Sequence, residues 1–208
     1  MKELARLMKE VCETVIEEPV LGPVHGPPFR NKKTTVDAGA RTDILARGFF
    51  EPQIDAHFDV TIVDTCCASA LRKQLRPEAV LAKAQRDKRD EYEERVTRTG
   101  GSFTPFAASV YGTLAPESER VLLTLTSKLS KTGGPRRTTE ACARLRIQMA
   151  IMKATSMCIR TRSVHTPSGA TVCDVLDKEP CAAVLEEEEE EEGLDLVGEW
   201  HDLRAAAC

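Results

Sequence analysis

Asp43 and Asp59 are the two carboxylates of this 208-residue chain whose surroundings make them chemically informative. Asp59 stands in the middle of His57-Phe58-Asp59-Val60-Thr61-Ile62-Val63, which alternates like a strand with Phe58, Val60 and Ile62 on one face. An ionised carboxylate inside such a segment is costly unless a cation or hydrogen-bond donors compensate it. Asp43 lies near the start of the preceding run, Thr42-Asp43-Ile44-Leu45-Ala46, which ends at Gly48. With Glu51-Pro52-Gln53 as the turn, the two runs form a hairpin. Two Asp on its adjacent strands can then meet on one hard cation, Mg²⁺ or Mn²⁺, which takes oxygen ligands. Lys88 is the third residue. A charged helix is expected from about Glu78 to Arg98, and its inward stripe of Leu81, Ala84, Lys88 and Tyr92 puts an ammonium where an apolar residue belongs. Directed at the sheet, that group would orient a water or offset charge on a phosphate. A metal held by carboxylates, with a lysine beside it, is the equipment of phosphodiester hydrolysis.

Each residue also has a plainer reading. Asp43 is placed like a turn or edge residue, and pairing with an Arg or Lys would satisfy Asp59. Lys88 could run its stem along the helix and keep its charge in water.

The elements that must position these residues follow from patterning. Residues 2–17 read as an amphipathic helix with Leu4, Leu7, Met8, Val11 and Val15 on one stripe, and Pro19-Val20-Leu21 as the opening of a short strand. Residues 22–40, rich in Gly and Pro, read as a long loop. Gly100-Gly101 closes the charged helix, and Ser102-Phe103-Thr104-Pro105-Phe106 reads as a strand that Pro105 assigns to an edge or an end. A helix from Pro116 to about Lys131 is broken by Gly133-Gly134-Pro135. A last one runs from Thr139 to about Arg162, with Cys142, Leu145, Met149, Met152, Ser156 and Ile159 alternating three and four residues apart. The expected fold class is α/β, a small mixed β-sheet flanked by helices with extra C-terminal helices. Its expected parts are an α/β core over 1–131, a C-terminal helix packing on that core over 132–163, and an acidic, disordered tail over 164–208.

Composition limits the function classes. No apolar stretch approaches the roughly 18 residues of a membrane span, and the N-terminus lacks the apolar centre of a signal peptide, so an intracellular location is expected. Net charge is −4, but residues 186–208 carry ten acidic residues and one basic one, which leaves 28 basic against 23 acidic in the rest. A mildly basic body is compatible with DNA without demanding it. The eight cysteines include no Cys-x-x-Cys and have no His at zinc-ligand spacing, so they read as free thiols in a reducing compartment. The four His sit in no nucleophile-bearing motif. His57 shares the strand face of Asp59, as the rim of a metal site or as a packed or exposed histidine.

The run Ala40-Arg41-Thr42-Asp43-Ile44-Leu45-Ala46 followed by Phe58-Asp59-Val60-Thr61-Ile62-Val63 resembles the "(P/A)D…DVTV" hairpin of the restriction-like endonuclease domain of non-LTR retrotransposons, in the PD-(D/E)XK superfamily. Lys88 and Tyr92 resemble that family's migrated "K-x-x-x-Y" element, with Thr61 at the ordinary lysine position. Phe103-Thr104-Pro105-Phe106 and Val110-Tyr111-Gly112-Thr113-Leu114 resemble its downstream "F-x-P-F…T/Y-G" segment. The similarity spans roughly residues 3 to 130. It implies a restriction-endonuclease-like core, Asp43 and Asp59 as ligands of Mg²⁺ or Mn²⁺ together with the Val60 carbonyl, and Lys88 as a catalytic residue. It further implies an acidic catalytic residue on the first helix, with Glu10 the first candidate and Glu13 the next. DNA is the implied substrate, a reverse transcriptase or element RNA the implied partner, and the nucleus the implied compartment. Thr42 replaces the usual Pro, and the family's upstream zinc element and reverse transcriptase segment do not occur in these 208 residues, so the chain would be a piece of a longer element.

Two other classes stay open on sequence. One is an inactive relative that keeps the nuclease fold as a DNA- or protein-binding module. The other is a structural or interaction protein of α/β fold. Convergence of Asp43, Asp59 and Lys88 on one point favours the enzyme, and separation of Lys88 from the carboxylates favours the module. Arg136, Arg137, Arg144, Arg146, Lys153, Arg160 and Arg162 along the last helix fit either a DNA backbone or a solvated face. Lys83, Arg86, Arg89, Arg95 and Arg98, interleaved with acids, are expected to form intrahelical ion pairs.

Overall fold

The computed structural model describes residues 1–164 apart from 24 and 134, so the expected acidic tail falls, from His165 onward, outside the described residues. The order is α1 (Lys2–Lys9), β1 (Val15–Glu17), β2 (Ile44–Arg47), β3 (Asp55–Val63), α2 (Ala68–Arg72), α3 (Pro77–Arg98), β4 (Ser102–Ser109), α4 (Pro116–Gly133) and α5 (Arg136–Val164). The strands form one sheet in the order β1-β2-β3-β4, antiparallel up to β3 and parallel between β3 and β4. The fold is therefore mixed α/β, with a four-stranded mixed sheet between helices. A parallel neighbour needs a crossover, and α2 with α3 supplies it between β3 and β4. No described helix is long and apolar enough to cross a membrane.

Strand alternation divides the core in two. Ile44, Ala46, Ala56, Phe58, Phe106 and Ala108 face α1, α4 and α5, where they pack with Leu4, Leu7, Met8, Leu122, Leu125 and Ile147. Phe103 and Ala107 point to the other face, which α3 covers through Leu81, Tyr92 and Val96. β4 is an edge strand, as Pro105 requires, and the carbonyl of Pro105 accepts from the buried Gln85 Nε2 at 3.4 Å.

Three features differ from the sequence reading. The first helix stops at Lys9, and Val15–Glu17 forms β1, which pairs with β2. Val15 fits a helical stripe by spacing, but Val15 and Ile16 are β-branched and the outer edge of β2 offers them a ladder. Val20 makes only an isolated bridge to Arg41. On α5 it is Ala143, Ile147 and Ile151 that pack inward, while the three-and-four stripe faces out, with Leu145, Met149, Met152 and Ile159 exposed.

The entry into β4 depends on a close approach at Gly101. A Cβ there would stand 3.0 Å from the carbonyl oxygen of Asp55 and 3.0 Å from Val96 Cγ1. Gly101→Ala is expected to lower stability by about 1–3 kcal/mol, read as a fall in the urea midpoint, because the backbone carbonyl cannot step aside. Gly22→Ala, whose Cβ would meet only Thr99 Cγ2 at 3.5 Å, is the control that leaves the midpoint near wild type.

Candidate active site

Register brings the two carboxylates together. Ile44 pairs with Phe58, so Asp43, one residue before Ile44, lies across from Asp59, one residue after Phe58. The β2 ladder ends there, and Asp43 Oδ2 takes over by accepting the Val60 N–H at 2.7 Å. A donor that would otherwise be left unpaired thereby fixes the carboxylate at the strand entrance.

Asp59 is buried, with 7% of its surface exposed, on the sheet face covered by α3. From that helix Lys88 Nζ comes within 3.4 Å of Asp59 Oδ2 and 3.2 Å of Glu91 Oε2, and lies 5.3 Å above the Tyr92 ring. Burial pushes the Asp59 carboxyl above its ordinary range and the nearby Asp43 adds to this, while Lys88 opposes it. Burial works against the Lys88 charge, yet Asp59 and Glu91 together hold its ammonium above the ordinary lysine value. Lys88 is therefore a cation at neutral pH and can donate or neutralise, but cannot act as a base. Burial, followed by a hydrogen bond to Glu91, raises the Tyr92 hydroxyl too, so it stays protonated. Thr61 Oγ1 is buried without a hydrogen-bond partner two residues beyond Asp59, on the same strand face.

No family model matches the chain, and no curated protein matches it.

Of the four expected site residues, Asp43, Asp59 and Lys88 meet in space and Glu10 does not join them. Glu10 caps the C-terminus of α1, which packs on the opposite face of the sheet, and it pairs with Arg146 of α5 at 3.2 Å. Glu13 is exposed between α1 and β1. Glu91 was missed as a member of the cluster. Its signal was the i, i+3 spacing from Lys88, which reads equally well as a solvated ion pair. Among the described residues no group of three or more His, Cys, Asp or Glu side chains is placed to hold a metal, so any cation here rests on the Asp43–Asp59 pair.

His57 is packed rather than at a metal. It is buried, its Nδ1 lies 2.9 Å from Thr42 Oγ1, and burial holds its pKa below the ordinary 6.5. The folded state thus binds this proton less readily than the unfolded chain. His57 is expected to contribute stability that is complete above pH 6.5 and lost as pH falls from there through its depressed folded value. Thermal melts between pH 7.5 and 5 check this, since His57→Gln should flatten that part of the profile.

The basic residues of α5 divide into two paired and four exposed ones, with the side chain of Arg162 outside the described residues. Arg144 pairs with Glu119 and Glu140, and Arg146 with Glu3 and Glu10. Arg136, Arg137, Lys153 and Arg160 are exposed. On α3 the expected intrahelical pairs Arg89–Glu93 and Arg98–Glu94 are present, but Arg95 is buried and bound to backbone carbonyls instead.

Proposed function

We propose that the chain is a metal-dependent DNA endonuclease of the PD-(D/E)XK class, with a restriction-endonuclease-like core derived from a retrotransposon. The observation that carries this reading is the reach of Lys88 from α3 to Asp59, which stands across from Asp43. A lysine that only snorkelled would end in solvent. The order helix, three strands, two helices, strand, with the hairpin followed by the lysine helix, also supports this reading.

The residues fit Mg²⁺ or Mn²⁺. Burial raises the Asp59 pKa and the nearby Asp43 adds to it, both of which a cation would relieve, and the buried Thr61 hydroxyl has no hydrogen-bond partner among the described residues. Mg²⁺ commonly uses one or two carboxylates and takes its other ligands from water and substrate phosphate. Asp43 and Asp59 would hold the ion, which when bound supplies Lewis-acid stabilisation of the phosphodiester and an acidified water.

The chain's own residues do the rest. The Val60 N–H keeps Asp43 oriented, so its carboxylate need not reorganise when DNA arrives. Lys88, a fixed cation in a half-buried position, offsets charge that develops on the phosphate or orients the attacking water. Glu91 and the Tyr92 ring hold that ammonium against the sheet. Asp59 must be ionised to serve, so activity rises with pH as its elevated pKa is passed. DNA is the substrate of this reading, element RNA or a reverse transcriptase its partner, and the nucleus its compartment. The test is conversion of supercoiled plasmid to nicked circles by the full chain with Mg²⁺ or Mn²⁺. The reading expects conversion that EDTA abolishes. A folded chain that binds DNA and never nicks it would instead be a binding module.

A further inference from the structure

We propose that the 22–40 loop is a phosphate clamp, in which Arg30, Lys32 and Lys33 hold the backbone of duplex DNA a few phosphates from the site of Asp43, Asp59 and Lys88. The inference rests on the nuclease reading for the place of the cut alone. What carries it is how the loop is fastened. Glu94 accepts the main-chain N–H groups of Arg30 and Asn31, each at 3.1 Å, and Arg98 donates to the carbonyls of Pro27 and Pro28. The Arg98 guanidinium also lies 4.1 Å from the centre of the Phe29 ring. Thr34 Oγ1 donates to the Asp90 carbonyl, and the Thr35 N–H donates to that of Glu91. The loop is thus tied to α3 mainly through its backbone, and its cations are left over.

A loop that only covered α3 would pair those cations with the carboxylates along that helix. Instead Glu94 binds the Arg30 N–H rather than its guanidinium. Arg30 and Lys32 are exposed and form no ion pair among the described residues, and Lys33 Nζ comes no closer than 3.9 Å to Asp90. Asp37, the only acid between residues 19 and 42, turns its Oδ1 back onto the Gly39 N–H at 3.0 Å. Three cations within four residues therefore face solvent on a backbone already ordered by folding, so a polyanion can bind without the cost of ordering the loop. Their place suits DNA. At 1.5 Å per residue, Asp90 and Glu94 stand about 3 and 9 Å along α3 from Lys88. One DNA strand carries a phosphate about every 3.4 Å of duplex axis, so the clamp meets phosphates about one to three removed from Lys88.

Fluorescence anisotropy of the full chain on a short labelled duplex, in EDTA so that metal-dependent cleavage is suppressed, reads the clamp apart from catalysis. The triple variant Arg30→Gln/Lys32→Gln/Lys33→Gln should bind at least about tenfold more weakly and flatten the slope of log Kd against log salt by about 2 to 3. Its melting curve should stay near wild type, because the ties to α3 do not use the Arg30 and Lys32 side chains and use that of Lys33 only marginally. The matched variant Arg136→Gln/Arg137→Gln/Lys153→Gln removes the same charge from α5, which packs on the opposite face of the sheet, and should change Kd by less than about twofold. A wild type that binds no duplex, a loop variant with the wild-type slope, or an equal loss in both variants overturns the proposal. So does equally tight binding to phosphatidylserine vesicles, which would make the partner a membrane. If the slope falls as expected and no plasmid is ever nicked, the clamp stands as a DNA-binding surface and the nuclease reading fails. Nicking with an unchanged slope is the reverse.

Discussion

Replacing Asp59 with asparagine is expected to raise the melting temperature while abolishing metal-dependent cleavage. The cause is the position of the carboxylate. Asp59 is buried and its pKa is elevated by burial and by Asp43, only partly offset by Lys88. With a folded-state pKa above the ordinary 3.8, the native chain binds this proton more tightly than the unfolded chain. Stability contributed by Asp59 is therefore full below pH 3.8 and declines as pH rises through the elevated value. Asparagine removes that decline, so a higher melting temperature than wild type is expected at pH 7, an advantage that vanishes in strong acid. Cleavage should fall by about a thousandfold or more, because the cation loses half of its carboxylate set. A second readout is independent of activity. Mg²⁺ at a hundred times its Kd should stabilise the wild type by about 2.7 kcal/mol and the variant far less. A variant that melts lower than wild type at pH 7, with an unchanged response to Mg²⁺, would contradict this view of Asp59.

The second large effect belongs to Arg95, far from any chemistry. This residue is 2% exposed and, among the described residues, forms no ion pair. It donates instead to the carbonyls of Asp37 at 2.6 Å, Gly22 at 3.0 Å, Thr35 at 3.2 Å and Leu21 at 3.4 Å. One guanidinium thus fastens both ends of the 22–40 loop to α3. Arg98 adds the carbonyls of Pro27 and Pro28, and Glu94 accepts the N–H groups of Arg30 and Asn31. Arg95→Leu would leave up to four carbonyls without their donor and is expected to cost about 3–5 kcal/mol, a large share of a domain's stability. Arg95→Lys should rescue little, since an ammonium cannot span the fork. The loop also meets α3 beside the site, through Thr34 Oγ1 to Asp90 O and Thr35 N to Glu91 O. Limited proteolysis should accordingly cut the Arg95→Leu chain within 22–40 at a protease concentration the wild type survives. Equal resistance of the two would contradict the fastening role.

Much of this was legible in the residues. The hairpin, the lysine helix from Pro77 and the edge strand at Pro105 follow from period, Gly/Pro punctuation and one misplaced ammonium, all local signals. What was not legible depends on partners distant in sequence. Val15 carries the same apolar signal in a helix as in a strand, and only β2 decides between them. Arg95 is one basic residue among many on α3, and its carbonyl partners lie more than fifty residues earlier. Glu10 had the right type at a plausible place, but α1 lies on the face of the sheet away from Asp59. The α5 stripe was visible as a period, yet a period does not say which face meets the core. The small side chains of Ala143 and the branched ones of Ile147 and Ile151 fit against α4 and α1 better than long methionines do.

The measurement that bears most directly on the central claim is the nicking rate of supercoiled plasmid under Mg²⁺ and Mn²⁺ for the wild type beside Lys88→Ala and Asp43→Asn. Lys88 is a cation at the scissile phosphate in this account, so Lys88→Ala should slow nicking by about a hundredfold to a thousandfold with the fold intact. Asp43→Asn should do at least as much and should weaken the metal dependence. Nicking by the wild type that needs metal and drops in both variants is the predicted result. Cleavage that persists at the wild-type rate without Lys88, or a folded wild type that cleaves nothing under either metal, would contradict it.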